Sequence, residues 1–184
     1  MLSLTALMGF LLFSGPTPPH AEAAKAPELP RYAVTLTAYN AVAAQTDSDP
    51  LITASGAYSN PEVIAARSQD LKDELPFGSI IEVDARNASK ESCGYSVVAP
   101  LVGYRVIADS MNARYTDRID ILLGTKAEYA TTDKGMKNAA EILGICKGIT
   151  VRAVGYVDIK NIPKTQKALA ALIDGTAKEL ALNK

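Results

Sequence analysis

Tyr32-Ala33-Val34-Thr35-Leu36-Thr37-Ala38-Tyr39 alternates in character along its whole length. Tyr32, Val34, Leu36 and Ala38 share one face; Ala33, Thr35, Thr37 and Tyr39 share the other. A repeat of two with hydroxyl-bearing residues opposite apolar ones predicts a half-buried β-strand. Further short strands follow on the same reasoning: residues 61–66, Ser79–Ala85, Tyr95–Val98, Val102–Ala108 beyond a turn at Pro100, Arg118–Leu123 and Ile149–Ile159. Helical signals are fewer. Ser68 can cap a short helix carrying Leu71 and Leu75, which must stop before Pro76. Lys134–Leu143 reads as helical, with Gly144 ending it. Pro163 opens a helix with Leu169, Leu172, Ile173, Ala177 and Leu180 at helical spacing, interrupted by Gly175. The strands do not alternate regularly with long helices. That argues against a doubly wound parallel sheet and for a mainly β fold, a small barrel with short peripheral helices.

The ends of the chain differ from its middle. Residues 2–13 are apolar, Ser14-Gly15-Pro16 breaks the run, and Ala21-Glu22-Ala23 suits signal-peptide cleavage. The run is short for a bilayer span and lacks basic residues ahead of it, so an uncleaved apolar N-terminus is the competing reading. The expected organisation is a leader at 1–23, a Pro-containing linker at 24–30, a β domain at 31–159 and a C-terminal helical extension at 160–184. That extension is most simply a packing element. The expected location is exported: periplasm, outer-membrane-associated or cell wall, with no stable membrane insertion once the leader is gone.

Composition narrows the chemistry. Nineteen basic against 20 acidic residues give a net charge of −1, a poor footprint for nucleic acid. If the leader is removed, the single histidine, His20, goes with it, and with it Ser-His-Asp and Cys-His machinery and histidine-type zinc sites. No phosphate-binding or dinucleotide-binding glycine motif occurs. Acid–base work must therefore use carboxylates, Tyr or Lys, and neither cofactor nor metal is expected. Asp47 and Asp49 would suit a calcium loop only with further ligands that do not follow, so a solvated turn is preferred. The two cysteines, Cys93 and Cys146, are expected to pair in an exported protein, two buried thiols being the alternative.

Two carboxylates stand in apolar surroundings. Asp109 ends the run Val106-Ile107-Ala108, and Asp120 lies between Ile119 and Ile121. A carboxylate partly desolvated beside another has a raised pKa and can serve as a general acid. Arg114 or Arg118 could hold the second carboxylate ionised. The plainer alternative puts Asp120 on the outer face of an amphipathic strand and Asp109 at a turn. Tyr39, Tyr104 and Tyr115 offer flat faces for sugar rings.

Several ordered motifs then coincide: T-A-Y at 37–39, T-D-x-D-P at 46–50, T-A-S-G at 53–56, R-S-Q-D-L-x-x-x-L-P-F-G at 67–78, A-D-S-M-N-x-R at 108–114 and R-I-D-I-L at 118–122. Together, over about residues 32–123, they resemble the three-aspartate (3D) domain family. That resemblance implies a six-stranded double-psi β-barrel, related to the catalytic domain of membrane-bound lytic transglycosylase A and to stationary-phase survival proteins. It implies Asp70, Asp109 and Asp120 as the three aspartates, and substrate contacts from Thr37, Tyr39, Ser55, Gly56, Asn112 and Arg114. It further implies a peptidoglycan-active enzyme that cuts MurNAc–GlcNAc β-1,4 bonds in glycan strands as a lytic transglycosylase. Asp109 or Asp120 would be the acid and Asp70 would help position. The rival class is a non-catalytic glycan-binding wall module on the same barrel, which the absence of Trp favours.

Overall fold

The computed structural model describes residues 28–46, 49–89, 91, 93–132 and 134–182, with side chains to residue 175. The leader, residues 24–27 of the linker, Asp47, and the side chains of Ala177 and Leu180 lie outside the described residues. Six strands close a barrel: β1 (Arg31–Tyr39), β2 (Ile64–Arg67), β3 (Ser79–Asp84), β4 (Arg105–Ser110), β5 (Arg118–Leu122) and β8 (Cys146–Tyr156). Their order around it is β1-β5-β2-β4-β3-β8. Neighbours β1 and β5 run parallel, as do β2 and β4, and the other contacts are antiparallel. Closure leaves no unpaired edge in this sheet. The fold is mainly β with short helices and a C-terminal helix, as the alternating runs indicated.

The period-two pattern sorts side chains to two sides of the wall. Val34, Leu36, Ala65, Ile81, Ile107, Ile119, Ile121, Ile149 and Val151 fill one buried cluster, the barrel interior. The opposite faces of the same strands supply a second cluster, with Tyr39, Ile64, Ala66, Val106, Ala108 and Leu122. The C-terminal helix α3 (Gln166–Leu182) closes over that second cluster with the fully buried Leu169. Gln166 anchors its start: the side-chain amide accepts from the Tyr104 N–H at 3.0 Å and donates to the Tyr104 carbonyl at 2.7 Å. Among the described residues no helix is long and apolar enough to cross a membrane.

Several expectations need correction. The stretch read as a strand at Tyr95–Val98 is helix α1 (Tyr95–Val102), with Pro100 inside it. Its valines favour strand locally, but Val98 and Val102, four apart, are both buried on one helical stripe, and that packing overrides propensity. The segment read as helix at Lys134–Leu143 splits. Gly135–Asn138 is strand β7, paired antiparallel with β6 (Glu128–Thr131) in a separate hairpin, and only Ala139–Leu143 is helix α2. The boundary is chemical. Asn138 caps α2 by accepting from the Ala140 N–H at 2.9 Å, and Gly135 takes the left-handed φ of +67° that the hairpin turn needs. Ser68 leads only a single 3-10 turn at Gln69–Lys72, and the last strand ends at Tyr156, with a 3-10 turn at Ile159–Asn161.

Cys93 and Cys146 form a disulfide, 53 residues apart in sequence. It ties the approach to α1 onto the start of β8. Among the described residues Arg105 is the largest fully buried side chain. Its guanidinium is met by carbonyls alone: Val102 at 2.6 Å, Pro61 at 2.8 Å, Leu122 at 3.0 Å and Ile64 at 3.3 Å, with Leu101 as a fifth acceptor.

Candidate functional site

One cross-strand row builds the site. Thr37 on β1 sits opposite Asp120 on β5, Asp120 opposite Ala66 on β2, and Ala66 opposite Asp109 on β4. The two aspartates are thus one strand apart, with Cα atoms about 10 Å from each other at ordinary strand spacing. Ala66 between them presents only a methyl group and leaves room for the carboxyls. A register shift between Ala65 and Ala66 brings Asp109, rather than Ala108, opposite Ala66. Such irregularities are a common device for re-aiming a side chain at the end of a pairing.

The row faces away from the barrel interior. Ile119 and Ile121 point inward, so Asp120 points outward, as alternation along β5 demands. That outer face is nevertheless partly covered. The loop between β1 and β2 crosses it, and with Asp109–Asn112, Arg114 and Tyr115 it lines an open groove of about 730 Å³. This is the size range of small-ligand sites, with a largely polar lining. Tyr39, Gln69, Asp109 and Asp120 all line it.

The two carboxyls have different surroundings. Asp120 accepts one hydrogen bond, from the Thr37 hydroxyl at 2.8 Å. Burial pushes its carboxyl up to about 6, while the Thr37 hydroxyl and the Arg118 guanidinium pull it down and the Asp109 charge adds to the rise. Asp109 accepts three: the Tyr39 hydroxyl at 2.7 Å, the Ala54 N–H at 2.9 Å and the Ser110 N–H at 2.9 Å. Both of its oxygens therefore accept from donors. Burial, then the adjoining Asp109, raises the Tyr39 phenol far above its usual range, so its proton stays in place to be donated. One acid is placed to give a proton and the other to remain a fixed acceptor.

Asp70 does not line this groove. It is exposed, and it accepts from the Asp117 N–H at 2.8 Å, holding a residue with φ of +48°. Burial opposes its ionisation, but the Ser68 hydroxyl and backbone N–H groups together outweigh that and hold its carboxyl below the usual value. Its observed work is to fix the turn into β5. Ser55 and Gly56 also stay out of the lining. Gly56 forms the loop's tight turn at φ of +83°, and Ser55 donates its N–H to the Ala108 carbonyl at 3.1 Å, pinning the loop beside Asp109. Asn112 and Arg114 do line the groove, as does Tyr115 but not Tyr104. Thr37 and Tyr39 hold the carboxyls rather than stand free.

Sequence reasoning passed over Ala66 and Gln69. Ala66 had no signal of its own, because its importance comes from pairing with strands distant in sequence. Among the described residues no group of three or more His, Cys, Asp or Glu is placed to hold a metal ion. No protein-family model matches the chain, and a search of curated proteins finds no match.

Proposed function

We propose that the protein is a diverged member of the three-aspartate domain family, exported to act on peptidoglycan, and that it cleaves glycan strands as a lytic transglycosylase. The carrying observation is the pair of carboxyls in one groove, Asp120 half-buried with a single donor and Asp109 with three. In this reading Asp120 protonates the glycosidic oxygen between MurNAc and GlcNAc. The C1–O bond breaks with its electron pair going to that oxygen. Asp109 stabilises the positive charge that develops at C1. The substrate's C6 hydroxyl then attacks C1, and its proton returns to Asp120, closing a 1,6-anhydro ring and restoring the acid. Asp70 acts through the Asp117 turn and touches no substrate. The disulfide supports an oxidising compartment.

A non-catalytic glycan-binding module is the second reading. The observation that favours it is Asp70, which stands outside the groove although the family pattern makes it the third aspartate. One digestion separates the two. Purified residues 24–184 are incubated with sacculi and the soluble products weighed by mass spectrometry. The transglycosylase reading expects anhydro-ended fragments from the wild type, and at least a hundredfold less release from Asp120→Asn and Asp109→Asn. Reducing-end products would instead mean hydrolysis. Pelleting with sacculi without release would leave only the binding module.

A further inference from the structure

We infer that the groove takes an acidic glycan, with Arg114 docking a free carboxylate on the sugar next to the bond that is cut. This rests on the glycan-cleaving reading above and names the substrate class for that groove. Arg114 lines the same groove as the two aspartates. Its guanidinium lies over the Tyr115 ring, 4.8 Å from the centroid, and its Nη2 donates to the Tyr115 hydroxyl at 2.9 Å. Its backbone N–H is held by Asn112 Oδ1 at 3.1 Å. The exposed side chain is thus held at its base, across its plane and at one donor, which reduces the ordering cost when a ligand arrives.

Among the described residues the remaining donors of Arg114 meet no acceptor. Among the described residues no carboxylate lies within ion-pair distance of it. It does not serve the acid pair directly either: Asp109 and Asp120 take their hydrogen bonds from Thr37, Tyr39 and the backbone at Ala54 and Ser110. A second guanidinium, Arg118, lies 4.6 Å over the same ring, and among the described residues its buried Nε has no hydrogen-bond partner. Two cations are thus gathered on one aromatic ring beside the groove. A fixed planar fork with free N–H groups matches a carboxylate in two parallel hydrogen bonds. A neutral sugar hydroxyl needs no such charge. In peptidoglycan the matching group is the lactyl carboxylate of a MurNAc that carries no stem peptide.

The test uses two preparations of peptide-stripped glycan strands, one with free lactyl carboxylates and one with those carboxylates capped as methylamides. Cleavage (kcat/KM) and equilibrium binding are both measured. The wild type should favour the free acid by about tenfold, the scale of a charge-assisted contact at a partly exposed site. Arg114→Gln should bring that ratio close to one, and Arg114→Lys should keep part of it. Equal handling of the two strands by the wild type, or a preference that survives in Arg114→Gln, overturns the inference. Cleavage without discrimination would leave the enzymatic reading standing and remove this one. Discriminating binding without cleavage would remove the enzymatic reading and leave Arg114 only as the carboxylate contact of a binding module. Neither cleavage nor binding would remove both.

Discussion

At Asp120, burial opposes ionisation while the Thr37 hydroxyl and the Arg118 charge favour it, and burial wins. The carboxyl rises from 3.8 to about 6, so the folded protein holds this proton more tightly than the unfolded chain. The sign of the stability effect follows. Below about pH 4 both states are protonated and Asp120 adds no slope; between about pH 4 and 6 stability falls as pH rises; above that the full penalty of a buried charge persists. Asp120→Asn keeps an oxygen for Thr37 and carries no charge. It should therefore be more stable than the wild type at pH 7.5, by about 1–3 kcal/mol, with the difference vanishing near pH 4. Paired urea titrations across that range check this. A variant less stable at pH 7.5, or a difference flat in pH, would contradict it. Alternation alone placed Asp120 opposite Ile119 and Ile121, so its direction was legible in the sequence. Its desolvation was not, because the roof comes from the loop between β1 and β2, which carries no periodic signal.

Elements were legible where one face is apolar throughout, as in β1, β3 and β5, and illegible where a partner decides. Helix α1 is valine-rich and reads as strand until its contact with α2, reinforced by the Cys93–Cys146 bond, is known. Arg105 shows the same limit in a single residue. Within an apolar strand it reads as a charge to be exposed, yet it has zero exposure. It gathers carbonyls from the end of α1, the entry to β2 and the end of β5. Burial lowers its guanidinium to about 10, with Tyr39 and Glu62 acting the other way. Such a residue organises elements more than it adds to any one of them. Arg105→Met would leave those carbonyls unpaired in the interior. It should cost roughly 3–5 kcal/mol in equilibrium unfolding. A loss under about 0.5 kcal/mol would show that water or a shifted backbone replaces the guanidinium without difficulty.

Across the whole molecule, the site exists because barrel closure sets strands distant in sequence side by side. Asp109 and Asp120 sit 11 positions apart, yet what joins them is Ala66 on β2, inserted between their strands. The third aspartate of the motif pattern, Asp70, falls outside the groove because the 3-10 turn after β2 directs it to the Asp117 turn instead. Motif order along the chain predicted a trio; the topology assembles a pair. The raised carboxyl is accordingly a property of the assembled fold and should disappear with it. The most direct measurement is a carbon-13 titration of the aspartate side-chain carboxyls, with Asp120→Asn supplying the assignment, in folded and in urea-unfolded protein. In folded protein the resonance lost in Asp120→Asn should titrate near pH 6, and on unfolding it should join the other aspartates near 4. An Asp120 resonance that already titrates at or below 4 in the folded protein would contradict the account.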